Sequence, residues 1–211
     1  MSVFMLCERA LGLIRGHRLE LSASARVQLE ALDYEGLAAS NAQEEAVSCV
    51  RHFAAVRDSL LGTYPWVFAR KSAPLAELSE AVVGWAFGYV LPVDCLKLLG
   101  LVVRVGGFAE GATLAQFEQV GRTVGCRYRV SEARYKARVT NTDVWDPVFC
   151  DVFCCRLAGE IGTAITGVAN PMQMMEQRAQ LFLQEAYRVG AIASAGEVPL
   201  DGFEWDGYVR G

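Results

Sequence analysis

RDSLLGTYPWVFARKSAPLAELSEAVVGWAFGYVLPVDCL, residues 57–96, gathers Tyr64, Trp66, Phe68, Trp85, Phe87 and Tyr89 into one short stretch. Large aromatics this dense mark the centre of a core. Pro65 and Pro92 interrupt the stretch. Each fixes its own φ and pushes the residue before it towards an extended conformation, so a regular element is expected to stop at each.

Upstream, Val47, Val50, Phe53, Ala54, Leu60 and Leu61 recur at helical spacing, which predicts a helix over about 42–61. Asn41 and Glu44 resemble a capping box, and Gly62 is the natural C-terminal stop. Arg57, near that end, reads as a donor to the last helical carbonyls. Residues 3–15 suit a short amphipathic helix, and residues 21–40 carry a weaker pattern that fits either an inserted helix or an ordered loop.

Downstream, residues 64–78 read as extended or irregular and 85–91 as a strand. Asp94 is placed to cap a short turn after Pro92. Residues 96–105 form an apolar run that periodicity assigns to neither strand nor helix. From 106 to 142 glycine-marked turns predict strands. There Arg127, Arg129, Arg134, Lys136 and Arg138 alternate with apolar residues, giving two strands with one basic and one apolar face each. Asp146-Pro147 and Asn170-Pro171 are helix starts with proline at the first helical position. The first opens a stripe of Phe149, Phe153, Leu157, Ile161 and Ile165, and the second runs to Gly190; their short connection predicts antiparallel packing. Residues 191–211 lack periodicity but hold Phe203, Trp205 and Tyr208 among acids, and three such aromatics are expected to dock on a surface.

The 211 residues are 53% hydrophobic and 21% charged, with a net charge of −4, which describes a globular chain with no strong charge preference for a partner. No apolar run reaches bilayer length, and Glu8 and Arg9 interrupt the start as a signal peptide, so a cytosolic site of synthesis is expected. The seven cysteines are an odd number set largely in apolar patterns, which favours reduced thiols. Cys49-x-x-His52 and Cys150-x-x-x-Cys154 supply metal-ligand types, but without a tight Cys-x-x-Cys knuckle they read as small buried residues. Neither His17 nor His52 stands in a nucleophile–base motif, and Asp143 and Asp146 are explained by helix capping. Phosphate loops, dinucleotide fingerprints and serine-hydrolase elbows are absent from the sequence. No catalytic residue, metal or cofactor is expected.

The ordered set Arg57-Asp-Ser-Leu-Leu61, Tyr64-Pro65-Trp66-Val-Phe68-Ala69, Leu75-Ala76, Tyr89-Val-Leu91-Pro92-Val-Asp94-Cys95-Leu96, residues 135–140, Trp145-Asp-Pro147-Val-Phe149 and Leu157-Ala158 resembles the tail adaptor family of short-tailed bacteriophages. These are head-to-tail connectors of the tail tubular protein A type. The resemblance covers residues 41–190, and its most specific part is the Tyr-Pro-Trp-x-Phe-Ala and Leu-Pro-x-Asp-Cys-Leu pair. It implies a non-enzymatic virion protein at the head–tail junction, assembled in the bacterial host cytoplasm. It implies a dodecameric ring docked beneath a portal protein and carrying a tail nozzle protein, with genome DNA passing through and no membrane contact.

The resulting expectation is a mainly α fold, an antiparallel helical bundle with a small antiparallel β insertion and an extended C-terminal tail. Residues 1–190 would be a single helical adaptor domain, with the β-rich insertion at about 64–142, and 191–211 the tail. The motif residues Arg57, Tyr64, Pro65, Trp66, Phe68, Leu91, Pro92, Asp94, Cys95, Pro147 and Phe149 would be structural. Partner contacts are expected at Phe203, Trp205, Tyr208, Arg127, Arg129, Arg134, Lys136 and Arg138. The competing reading is a helical nucleic-acid-binding module that uses the basic strands 122–138.

Overall fold

The computed structural model describes residues 1–15, 19–40, 42–104, 112–166 and 170–192. Among them are six α-helices: α1 (Val3–Arg15), α2 (Ala23–Glu30), α3 (Tyr34–Ala39), α4 (Glu44–Thr63), α5 (Pro147–Thr166) and α6 (Asn170–Arg188). Between α4 and α5 lie β1 (Arg70–Ala73), β2 (Ala76–Glu77), β3 (Phe87–Val90), β4 (Cys95–Arg104), β5 (Ala112–Ala115), β6 (Phe117–Val120), β7 (Thr123–Cys126) and β8 (Val130–Ala137).

These strands correct the expected fold class. The chain is a mixed α/β protein, not a mainly α bundle with a small insertion. Two four-stranded antiparallel sheets, ordered β1-β8-β4-β5 and β2-β3-β7-β6, carry a hydrophobic cluster of their own. Leu98, Leu101, Ala133, Tyr135 and Ala137 from the first sheet meet Tyr89, Val124 and Cys126 from the second. A sheet that buries one face against another is a folding layer in its own right. Its size is hidden in the sequence because β1 and β2 are short and polar, so their pairing across the sheet, rather than alternation along the strand, makes them strands.

The aromatic stretch therefore feeds two cores. Tyr64, Trp66 and Phe68 join the helical core, while Phe87 and Tyr89 join the sheet core. Trp85 precedes β3 and lies over β7, where Gly125 leaves room for its ring: a Cβ there would sit 2.5 Å from the indole. Its Nε1 donates to Glu118 of β6 at 2.8 Å. Gly125→Val should displace the ring, break this bond and lower stability by about 1–3 kcal/mol. Urea unfolding and the fluorescence of Trp85 check it, and an unshifted midpoint would refute the fit.

The helical layer is built around α5, which packs against α1, α4 and α6. Spacing by four shows only part of why. Val152, Cys154, Cys155 and Ala158 are buried along with Phe149, Phe153, Leu157 and Ile161, so α5 is apolar on nearly every side. Helices of that kind occupy the middle of a layer. The weak pattern of 21–40 is two helices, started by the side chains of Ser22 and Asp33, with Leu32 at φ 55 between them.

Both ends of α4 depart from expectation. The capping residue is Gln43, whose side chain makes no cap bond and instead accepts from the Glu20 amide at 3.1 Å. Asn41 lies outside the described residues. At the other end Gly62 is still helical and the helix continues to Thr63. The stop comes from Pro65, which holds Tyr64 extended at φ −96 and ψ 147.

Candidate interaction site

The two proline motifs are joints, and each is fastened differently. After α4, Trp66 is fully buried and its Nε1 donates to Leu60 O at 3.2 Å. Its ring stands edge-on to Phe149 at 4.9 Å, and Phe68 meets the same ring at 5.1 Å. Trp145, Phe149, Phe153 and Phe53 extend the cluster. Pro147 begins α5, and Asp146 Oδ1 accepts from the Val148 amide at 2.8 Å, so the expected capping aspartate sets the helix that carries Phe149. Trp66 also forms an antiparallel bridge with Ile192.

Leu91-Pro92-Val93-Asp94-Cys95 takes the chain from the second sheet into the first. The Cys95 amide donates to Pro92 O at 2.9 Å, a turn held locally. Arg122, from the β6–β7 turn, donates to Leu91 O at 3.0 Å and to Pro92 O at 2.5 Å. Asp94 accepts from Lys71 of β1 at 2.8 Å and from the Tyr135 hydroxyl of β8 at 3.1 Å, while its carbonyl accepts from the Arg138 amide at 2.7 Å. This motif thus ties the two sheets together. Asp94 does more than cap a turn.

The Asp94 carboxyl reflects that position. Partial burial pushes it up, but the bonds from Lys71 and Tyr135 outweigh this and hold it below its ordinary value. Burial and the bond to Asp94 push the Tyr135 hydroxyl up to about 12. A carboxyl lowered by folding contributes stability above its unfolded value of about 4 that is lost as pH falls through the lower folded value. Asp94→Asn should therefore be less stable than the native chain at neutral pH, and the gap should close below about pH 4. Urea midpoints across pH check this; a gap constant with pH would refute it.

The expected basic contact residues separate into three groups. Lys136 is buried, 4% exposed, and its Nζ donates to Gly62 O at 2.8 Å and Thr63 O at 3.0 Å. Within the chain it caps the end of α4, a role the sequence reading of a contact residue does not include. Arg138 Nε donates to Asp58 Oδ2 at 2.7 Å, and buried Arg57 donates to Asp58 Oδ1 at 2.8 Å. Asp58 thus joins the end of α4 to the chain leaving β8, and Arg57 uses it in place of a helix carbonyl. Arg129 pairs with Glu77 at 3.5 Å and lies over the Phe87 ring. Arg127 and Arg134 are exposed and have no such partner among the described residues.

The alternation expected at 127–130 is absent, because Arg127, Tyr128 and Arg129 form a bend between β7 and β8 and all three are exposed. In β8 the alternation of Ala133, Tyr135 and Ala137 holds, but α4 covers the opposite face at Lys136. Lys71, Asp58 and Arg122 are the bonding residues that sequence reading does not single out. Their only signal is a place inside or beside the motifs. Phe203, Trp205 and Tyr208 lie outside the described residues.

The thiols near the joints are not primed for chemistry. Burial pushes the Cys150 thiol up to about 11, and the Cys154 thiol further still, so neither is a ready thiolate. Cys95, the half-buried thiol of the Leu-Pro motif, is also raised by burial. Among the described residues no three His, Cys, Asp or Glu side chains are grouped to hold a metal ion, and no helix is long and apolar enough to cross a membrane. The chain matches no family model and no curated protein.

Proposed function

We propose that the protein is a structural component of a bacteriophage virion, a tail adaptor that forms a ring between portal and tail nozzle and lets genome DNA through. The reading rests on the resemblance carried by the two proline motifs and is supported by how they are built. Tyr-Pro-Trp anchors the departing chain in the aromatic core, and Leu-Pro-x-Asp-Cys binds both sheets. Two layers fastened at both joints suit a rigid subunit. A subunit in a closed ring needs that property, because it presents different faces to its two neighbours and cannot deform at either.

The competing nucleic-acid module is less favoured. Of the six basic residues in 122–138, Arg122, Arg129, Lys136 and Arg138 are engaged within the fold. A phosphate-binding face keeps its cations available. Arg127 and Arg134 remain for an acidic partner surface or for DNA. Phe203, Trp205 and Tyr208 are assigned to the portal or to a neighbouring adaptor. Charge reversal of Arg127 and Arg134, together with deletion of residues 201–211, should abolish assembly on the portal and leave the isolated chain folded. Steeply salt-dependent binding of the isolated chain to duplex DNA would support the module instead.

A further inference from the structure

We propose that the outward face of the first sheet holds a phosphate group on Arg70, Lys97 and Arg134. Strand register brings these side chains together. Ala133, Tyr135 and Ala137 of β8 enter the sheet core, so Arg134 and Lys136 stand on the opposite face. Arg70 of β1 and Lys97 of β4 are the partners of Lys136 on its two sides, and residues paired across antiparallel strands share a face. Arg70, Lys136 and Lys97 therefore form one row across three strands. Arg134, two residues along β8, is a diagonal neighbour of both Arg70 and Lys97, roughly 7–8 Å away, which long side chains can bridge.

Two observations point to an anion. The first is positive charge without compensation. Like charges directly across a strand pair repel, and burial, with Lys97 and Arg70 alongside, lowers the Lys136 amine to about 8. The carbonyls of Gly62 and Thr63 take up Lys136 alone. Arg70, Lys97 and Arg134 have no ion-pair partner among the described residues. Glu132, the acid that shares this face on β8, lies one row beyond Arg134 and accepts from the Ser72 hydroxyl. Asp58 is held by Arg57 and Arg138, and Asp94 by Lys71 and Tyr135.

The second is an orphaned donor. Arg70 Nε is buried with no acceptor among the described residues, a costly state for an N–H. Two guanidiniums and an ammonium suit a phosphate better than a lone carboxylate, because phosphate carries nearly two charges at neutral pH and accepts bidentate bonds from arginine on several oxygens. The end of α4 covers Lys136, while Arg134 and Lys97 are exposed, so the open part of the site lies beside that helix end and not beneath it. Free phosphate and the backbone of a nucleic acid present the same group.

The test is a 1H–15N NMR titration of the full chain with inorganic phosphate near neutral pH, with chloride replacing phosphate at constant ionic strength. The Nε–H signals of Arg70 and Arg134 and the amides of β1, β4 and β8 should shift and saturate. Acetate should bind at least about tenfold more weakly. Lys97→Gln combined with Arg134→Gln should weaken phosphate binding about tenfold or more, and both positions are exposed, so the chain should stay folded. Arg127→Gln removes an equally exposed cation from the bend outside this face and should change affinity less than about twofold. A duplex of about 12 base pairs identifies the source: binding at least tenfold tighter than inorganic phosphate, and lost in the double variant, assigns the site to a nucleic-acid backbone, whereas binding no tighter assigns it to free phosphate.

Shifts that chloride reproduces would overturn the site. So would acetate binding as tightly as phosphate, which would make it a carboxylate site, or an equal loss on Arg127→Gln, which would reduce it to net charge. The inference does not depend on the adaptor reading. A chain that binds phosphate but forms no ring on a portal would defeat that reading and leave this one standing.

Discussion

Trp66→Ala should lower the stability of the protein by about 3–5 kcal/mol, the loss typical of removing a fully buried large aromatic. Three kinds of contact go at once. The ring leaves its edge contact with Phe149, the Leu60 carbonyl loses the indole donor, and the tilted pair with Phe68 is broken. No neighbour can collapse into the space without moving α5, because Phe149 is also held by Trp145 and Phe153. Trp66→Phe keeps part of the volume and should recover roughly half of the loss. Urea midpoints for the three chains measure it. A loss below about 1 kcal/mol for Trp66→Ala would show that the first joint is not anchored in the core.

Lys136→Met should cost about 2 kcal/mol near neutral pH, because it leaves the Gly62 and Thr63 carbonyls at the end of α4 without their shared donor. The loss should also depend on pH. Burial, with Lys97 and Arg70 alongside, lowers the amine from 10.5 to about 8. Between those values the unfolded chain holds the proton and the folded chain does not, so the native protein gains stability as pH rises across the window. The neutral amine still has two N–H groups for the two carbonyls. The native chain should therefore gain on Lys136→Met from about pH 8 to 10.5, where the variant lacks the titrating group. An undiminished midpoint for the variant, with no pH trend in the difference, would contradict the capping role.

Lys136 also shows where sequence reading stops. Alternation in 130–137 correctly puts Ala133, Tyr135 and Ala137 on one face and Lys136 on the other. It cannot tell that α4 ends over that other face, since such contact joins residues some 70 positions apart. The long helices are legible because their apolar spacing recurs over many turns, and α5 begins where Asp146-Pro147 predicts. The capping box at residue 44 fails because a short polar pattern fits several starts, and the actual start places Glu44 at the first helical position.

The sheets are the largest miss. Arg70-Lys71-Ser72-Ala73 has no apolar face of its own and is a strand only because β8 lies beside it. The split of the aromatics into two cores is hidden for the same reason, since the density of rings along the chain does not show which layer each ring enters. Both proline motifs are legible as stops, and their bonding partners are not: Arg122, Lys71 and Tyr135 reach the Leu-Pro turn from three different strands or turns.

Electron microscopy of the purified protein mixed with its candidate portal protein tests the proposed function most directly. The adaptor reading predicts closed rings stacked coaxially on the portal, with an open channel along the axis and the same number of adaptor subunits in every ring. Portals left bare at saturating protein, or chains attached without rotational symmetry, would contradict it.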